Sequence, residues 1–332
     1  MRTQRAVLVM LLSLCAGCGV EVVRKSQPLG GLEPGPGEGW VGSREGGEFE
    51  EEAAPRHSIA GRGAKLSALA SEEFEEITLH PRVISQAKQL TRGQRVTVRD
   101  ALERSGRYMD IIARELEREG VPASLAFLPA VESHFSCTAE GAGTVGLWQF
   151  TRGTAQRYGL TVNSQVDERR DPERASRAAA KLLRDLYAQF GRWGLALAAY
   201  NAGPARVQQA LDRHPGADVW QLLDRGSLPA HTVKYVPKVL AVAAIASEPG
   251  RFGIEGITPL EPLSYETFEV AEPLDVKTIA SLSGASSAAI NELNPALRRG
   301  VVPKTAGGFA VRLPEGTKKR FAENYRARVR TQ

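Results

Sequence analysis

The chain has 332 residues, 42% of them apolar and 24% charged, with a net charge of +5. This composition excludes a disordered or collagenous protein, and the length leaves room for more than one folded domain. A mildly basic balance suits an anionic polymer as well as a solvated surface, and no basic stripe with interleaved aromatics points to nucleic acid.

In chain order, residues 1–17 read as a lipoprotein-type signal peptide. Arg2 and Arg5 precede a short apolar run that ends in Leu14-Cys15-Ala16-Gly17-Cys18. Small residues before Cys18 make it the expected lipidation site and imply a membrane anchor. Processing and acylation then leave Cys137 as the one remaining thiol, so no intramolecular disulfide is expected. Residues 18–63 are rich in Gly, Pro, Glu and Ser and read as a flexible tether. A helical lead-in follows over 64–97, with Phe74, Ile77, Leu79, Val83 and Ile84 in weak helical spacing.

From 98 to 248 the periodicity is helical throughout. Leu102, Tyr108, Met109, Ile112 and Leu116 share one face of a helix ending at Gly120. Pro122 opens the next helix, which sets Leu125, Leu128 and Glu132 along one face, so a carboxyl joins an apolar surface. Asp171-Pro172-Glu173 is an N-cap, a first-turn proline and a first-turn acid. It starts a helix running to Gly191. Further helices cover Trp193 to Asn201, the segment from Pro204, and Val233 to Ile245. Residues 249–264 read as a linker. Over 265–316 the order is strand, helix, helix, strand, with strands at Thr267 to Val270 and Ala310 to Leu313. With Ile279-Ala280, Gly284, Leu293-Asn294 and Val311-Arg312-Leu313-Pro314, this segment resembles a LysM glycan-binding module. Residues 317–332 read as a C-terminal tail.

The chemistry concentrates at Glu132. A carboxyl on an apolar helix face is expected to hold its proton to higher pH, because desolvation disfavours the ion. A second carboxyl, as a hydrolytic glycosidase needs, is sought at Glu140, Asp167, Glu168 and Asp171. Asp171 is explained as a cap, and Asp167 and Glu168 as partners of Arg169 and Arg170. The His residues show no metal spacing and no cofactor is expected. Gly141, Gly143 and Gly146 suit a tight turn that approaches a ligand. Trp148 suits core or sugar platform equally. Tyr200, three and seven residues beyond Leu197 and Trp193, could be explained by packing alone.

Leu128-Pro129-Ala130-Val131-Glu132-Ser133, Gly146-Leu147-Trp148-Gln149-Phe150, Ala198-Ala199-Tyr200-Asn201-Ala202-Gly203 and Tyr235-Val236-Pro237-Lys238 occur in this order between Leu102 and Ile245. Together they resemble the lytic murein transglycosylases of the membrane-bound D type. The resemblance implies a mainly α architecture: a lysozyme-like helical catalytic domain followed by a small α+β module of βααβ order. It also implies cleavage of the MurNAc-β-1,4-GlcNAc bond of peptidoglycan, with Glu132 acting as acid and then as base to close a 1,6-anhydroMurNAc end. Ser133, Trp148, Gln149, Tyr200, Asn201 and Tyr235 would bind substrate or support the acid. The expected partners are peptidoglycan glycan strands and a membrane reached through the anchor. The expected location is the cell envelope, at an outer membrane facing the periplasm. A hydrolytic muramidase and a non-catalytic peptidoglycan-binding lipoprotein are the alternatives.

Overall fold

The computed structural model describes residues 72–305 and 307–330. The signal peptide, Cys18, the tether and the start of the lead-in lie outside the described residues.

Two helices, α1 (72–78) and α2 (Pro81–Gly93), replace the single lead-in helix. Pro81 restricts His80 to an extended conformation, which breaks the pattern and leaves Leu79 62% exposed. The next expected helix is likewise two, α3 (Arg95–Ser105) and α4 (Met109–Arg118). Between them Gly106 packs so closely on Leu260 that a Cβ would lie 2.5 Å from its carbonyl oxygen. The segment after Pro122 begins as a 3-10 turn, Ala123–Phe127. It widens into the one-turn helix α5 (Leu128–Glu132), with Pro129 in its first turn.

A minimal hairpin follows. Strands β1 (Thr144–Val145) and β2 (Phe150–Thr151) pair antiparallel, and Gly146–Gln149 form their connecting turn. Helices α6 (Arg152–Arg157) and α7 (Pro172–Phe190) come next. Asp171 caps α7 by accepting from the backbone of Glu173 and Arg174. The centre of the body is α8 (Trp193–Ala202) and α11 (Ala230–Ser247), between which run α9 (Pro204–Arg213) and α10 (Val219–Asp224). Both central helices are predominantly apolar, with α11 exposing polar positions such as His231 and Lys234; α7 and α9 cover α8, while α2 and α5 cover α11.

The segment 249–264 is packed along the body. The Leu260 and Leu263 amides donate to the Glu103 and Arg107 carbonyls at 2.8 and 3.0 Å, and Ile254 is buried. Beyond it, β3 (Glu266–Val270) pairs antiparallel with β4 (Phe309–Leu313), and α12 (Val276–Ser283) and α13 (Ser287–Leu293) lie between them in sequence. The architecture is therefore mainly helical, with a βααβ module after the helical body.

The stretch read as a tail holds a further helix, α14 (Lys318–Arg330). Its polar composition hides two aromatics one turn apart, Phe321 and Tyr325, which meet Phe268 at ring distances of 5.1 and 5.5 Å. Phe321 is fully buried in the module's core. Phe321→Ala is expected to cost about 3–5 kcal/mol of stability by chemical denaturation. A cost below about 1 kcal/mol would show that α14 is not part of the module.

Candidate active site

Glu132 ends α5, and the backbone beyond it cannot continue as a helix. His134 and Phe135 both take left-handed conformations, with φ of 51° and 57°. Phe135 is thereby driven into the core, while His134 is left exposed. Its carbonyl is held from outside by Arg104 Nε at 2.7 Å. The local strain thus fixes where the acid stops and which way the chain leaves it.

Two other helices come together around the carboxyl, and only one of them bonds it directly. From α11, the Tyr235 hydroxyl donates to Glu132 Oε1 at 2.5 Å. From α8, the Tyr200 hydroxyl donates to the Trp148 carbonyl at 2.7 Å. From α5 itself, Ser133 Oγ donates to the Leu147 carbonyl at 2.9 Å. The Gly146–Gln149 turn is therefore tied on one side to the residue after the acid and on the other to Tyr200. Gly146 is required there. Its φ is 86°, and a Cβ would fall 1.8 Å from the Arg169 carbonyl oxygen.

Burial dominates the electrostatics. Desolvation pushes the Glu132 pKa up from an ordinary 4.5 to about 7, against the opposing pull of the Tyr235 hydroxyl and the positive charge of Lys238. Tyr200 and Tyr235 are held neutral by the same burial and by the nearby carboxylate. The other acids considered are each engaged by an arginine: Glu140 by Arg170, Asp167 by Arg169, Glu168 by Arg174 and Asp171 by Arg312.

The remaining expected residues divide. The Asn201 Oδ1 accepts from Thr232 Oγ1 at 2.7 Å, so its amide N–H groups are turned away from that bond and free to donate. Gln149 spends both donors on the Ala139 and Gly146 carbonyls, while Oε1 accepts from Thr144. One lone pair on Oε1 is left for a ligand. The sugar-platform reading of Trp148 is corrected: the ring is wholly buried and its Nε1 donates to Ser176 at 3.0 Å. What the tryptophan gives the site is its carbonyl. Thr232, absent from the sequence reading, is fully buried one turn before Tyr235 on the same helix. That three-residue spacing was the available signal. Cys137 is buried, and its thiol is pushed up to about 12, unsuited to nucleophilic chemistry.

Residues 109–223 match the Transglycosylase SLT domain, and residues 264–329 match the LysM-like domain of the lytic transglycosylase MltD. Membrane-bound lytic murein transglycosylase D of Escherichia coli K12 is 34% identical over 194 residues, which are 57% of this chain and 42% of that protein. Peptidoglycan transglycosylase gp16 of Escherichia phage T7 is 36% identical over 140 residues, 41% of this chain and 10% of its own length. The solved 70 kDa soluble lytic transglycosylase SLT70 of E. coli aligns at 26% identity over 56% of this chain and 30% of its own, with a TM-score of 0.39. The chain thus spans less than half the length of these relatives.

Two titration results follow. Tyr235→Phe removes a hydrogen bond that favours the ionised form, so carboxyl NMR should show Glu132 titrating above its wild-type value of about 7. An unchanged or lower value contradicts the assignment. Because the folded-state pKa exceeds the unfolded one, Glu132 supports folding fully below pH 4.5 and loses that contribution as pH rises through about 7. Glu132→Gln should therefore match wild-type stability near pH 4 and exceed it by about 3 kcal/mol at pH 8 in denaturant titrations.

Proposed function

From a chain that carries a transglycosylase SLT domain followed by an MltD-type LysM-like domain, we propose a lytic transglycosylase of peptidoglycan with Glu132 as its single acid/base. The observation that carries this reading is a desolvated carboxyl, with a pKa of about 7, beside which every other candidate acid is neutralised by an arginine.

Protonated Glu132 gives its proton to the glycosidic oxygen of the leaving GlcNAc as the C1–O bond of MurNAc breaks. The carboxylate so formed takes the proton of the MurNAc C6 hydroxyl, whose oxygen bonds to C1 and closes the 1,6-anhydro ring. Glu132 ends as it began, protonated, and no water is consumed. An internal hydroxyl has a high effective concentration, so a second carboxylate to activate water is unnecessary. Tyr235 steadies the carboxyl between the two transfers through its bond to Oε1. The Asn201 amide offers donors to a carbonyl or hydroxyl oxygen of the sugars, which suits an acetamido group.

The enzyme acts in the cell envelope. The expected lipid at Cys18 would hold it to the outer membrane, and the tether would let it reach glycan strands from there. No helix among the described residues is long and apolar enough to cross a membrane.

The test is mass spectrometry of soluble products from purified peptidoglycan treated with wild type and Glu132→Gln. The expected muropeptides are lighter by one water than hydrolytic ones and vanish with the variant. Reducing products would instead indicate a muramidase, and no products from either protein would indicate a binding role. Since the acid must start protonated, wild-type turnover should fall as pH rises through about 7. A rate that is flat across that range contradicts Glu132 as the proton donor.

A further inference from the structure

We propose that the C-terminal module is a working part of the site around Glu132, and that Arg312 is a positioning residue that, through Asp171, backs the Gly146–Gln149 turn beside that acid. The inference rests on the catalytic reading above and adds a function for the module other than holding glycan.

The loop 161–171 is gripped from two sides. On the module's side, its backbone continues into the module: the Asp167 amide donates to the Ala296 carbonyl at 2.9 Å. The Arg298 amide donates to the Gln165 carbonyl at 3.0 Å, and Val166 and Leu297 form an antiparallel bridge. Val166 is buried as a member of the module's own core. The Arg312 guanidinium meets the Asp171 carboxylate with both ends, at 2.6 and 3.0 Å, and both residues are buried. Tyr265 lies against the guanidinium at 4.8 Å and donates to Glu173 at 2.7 Å.

On the side of Glu132, the same loop is the floor of the turn. The Arg169 carbonyl occupies the space a Cβ on Gly146 would need, and Arg169 Nη1 donates to the Phe150 carbonyl at 3.1 Å. Asp167 fixes that guanidinium through two contacts of 2.8 Å. A single residue, Arg170, separates Arg169, which touches the turn, from Asp171, which Arg312 holds. The turn in turn supplies the carbonyls that receive Ser133 and Tyr200.

The module is strapped down by 249–264, bridged to the loop by backbone and locked by a buried ion pair. Removing the guanidinium leaves the Asp171 carboxylate buried without its partner, a change that disrupts local structure. The loop then stops backing the turn, and the substrate-facing groups lose register with Glu132.

The experiment uses the protein without its leader, on soluble peptidoglycan fragments too small to require anchoring. It compares wild type with Arg312→Met and Arg312→Lys, measuring kcat and KM separately and the alkaline pH limb. We expect Arg312→Met to lose about ten- to a hundredfold in kcat/KM. The loss should fall mainly in KM, with the pH limb unmoved and partial recovery in Arg312→Lys. Wild-type kinetics on fragments for Arg312→Met, with any loss confined to insoluble wall, would overturn the proposal and leave the module an anchor. If Arg312→Met fails to fold, Leu297→Ala thins the packing on Val166 without unpairing a charge. A raised KM then supports the proposal and an unchanged KM overturns it. A wild type that cleaves neither fragments nor wall defeats the catalytic reading itself, and this inference with it.

Discussion

Keeping water away from one carboxyl governs the rest of this structure. Glu132 ends a helix of a single turn, and after Ser133 two left-handed residues turn the chain back into the core. Burial pushes its pKa towards neutrality, while the Tyr235 hydroxyl and the Lys238 charge pull it down. The balance leaves a group able to give and take a proton near pH 7, as a residue used first as acid and then as base requires. A more exposed carboxyl would be ionised before it could donate. One without the tyrosine and lysine would hold its proton too tightly to serve as a good acid.

The same economy of charge extends to the surroundings. Acids at 140, 167, 168 and 171 are each paired with an arginine, and those pairs also shape the floor under the glycine turn. Asp171 does three things at once: it caps α7, receives Arg312 and ends the loop that supports the turn. The C-terminal module and the loop under the turn are consequently joined by side chains whose loss would be felt in both.

How much of this the chain discloses depends on how local the signal is. Asp171-Pro172 as cap and first turn, the apolar α8 and α11, and the burial of Glu132 all follow from spacing within a few residues. The close contact of Leu260 with Gly106, between α3 and α4, does not, since it comes from far along the chain. The aromatic pair of α14 is hidden among Lys and Arg. Arg312 reads as a strand residue until Asp171 is placed against it. The employment of Gln149 within its own turn and the full burial of Trp148 likewise require the hairpin to be closed. Thr232 lay within reach of the sequence, because it precedes a motif tyrosine by one helical turn.

The central claim is that the bond is cut by an internal hydroxyl and not by water. It is tested most directly by running the reaction in water enriched in heavy oxygen and weighing the products. Products that carry none of the heavy isotope are what a site with one free acid predicts. Heavy oxygen at a new reducing end would contradict the account and require a second group that activates water.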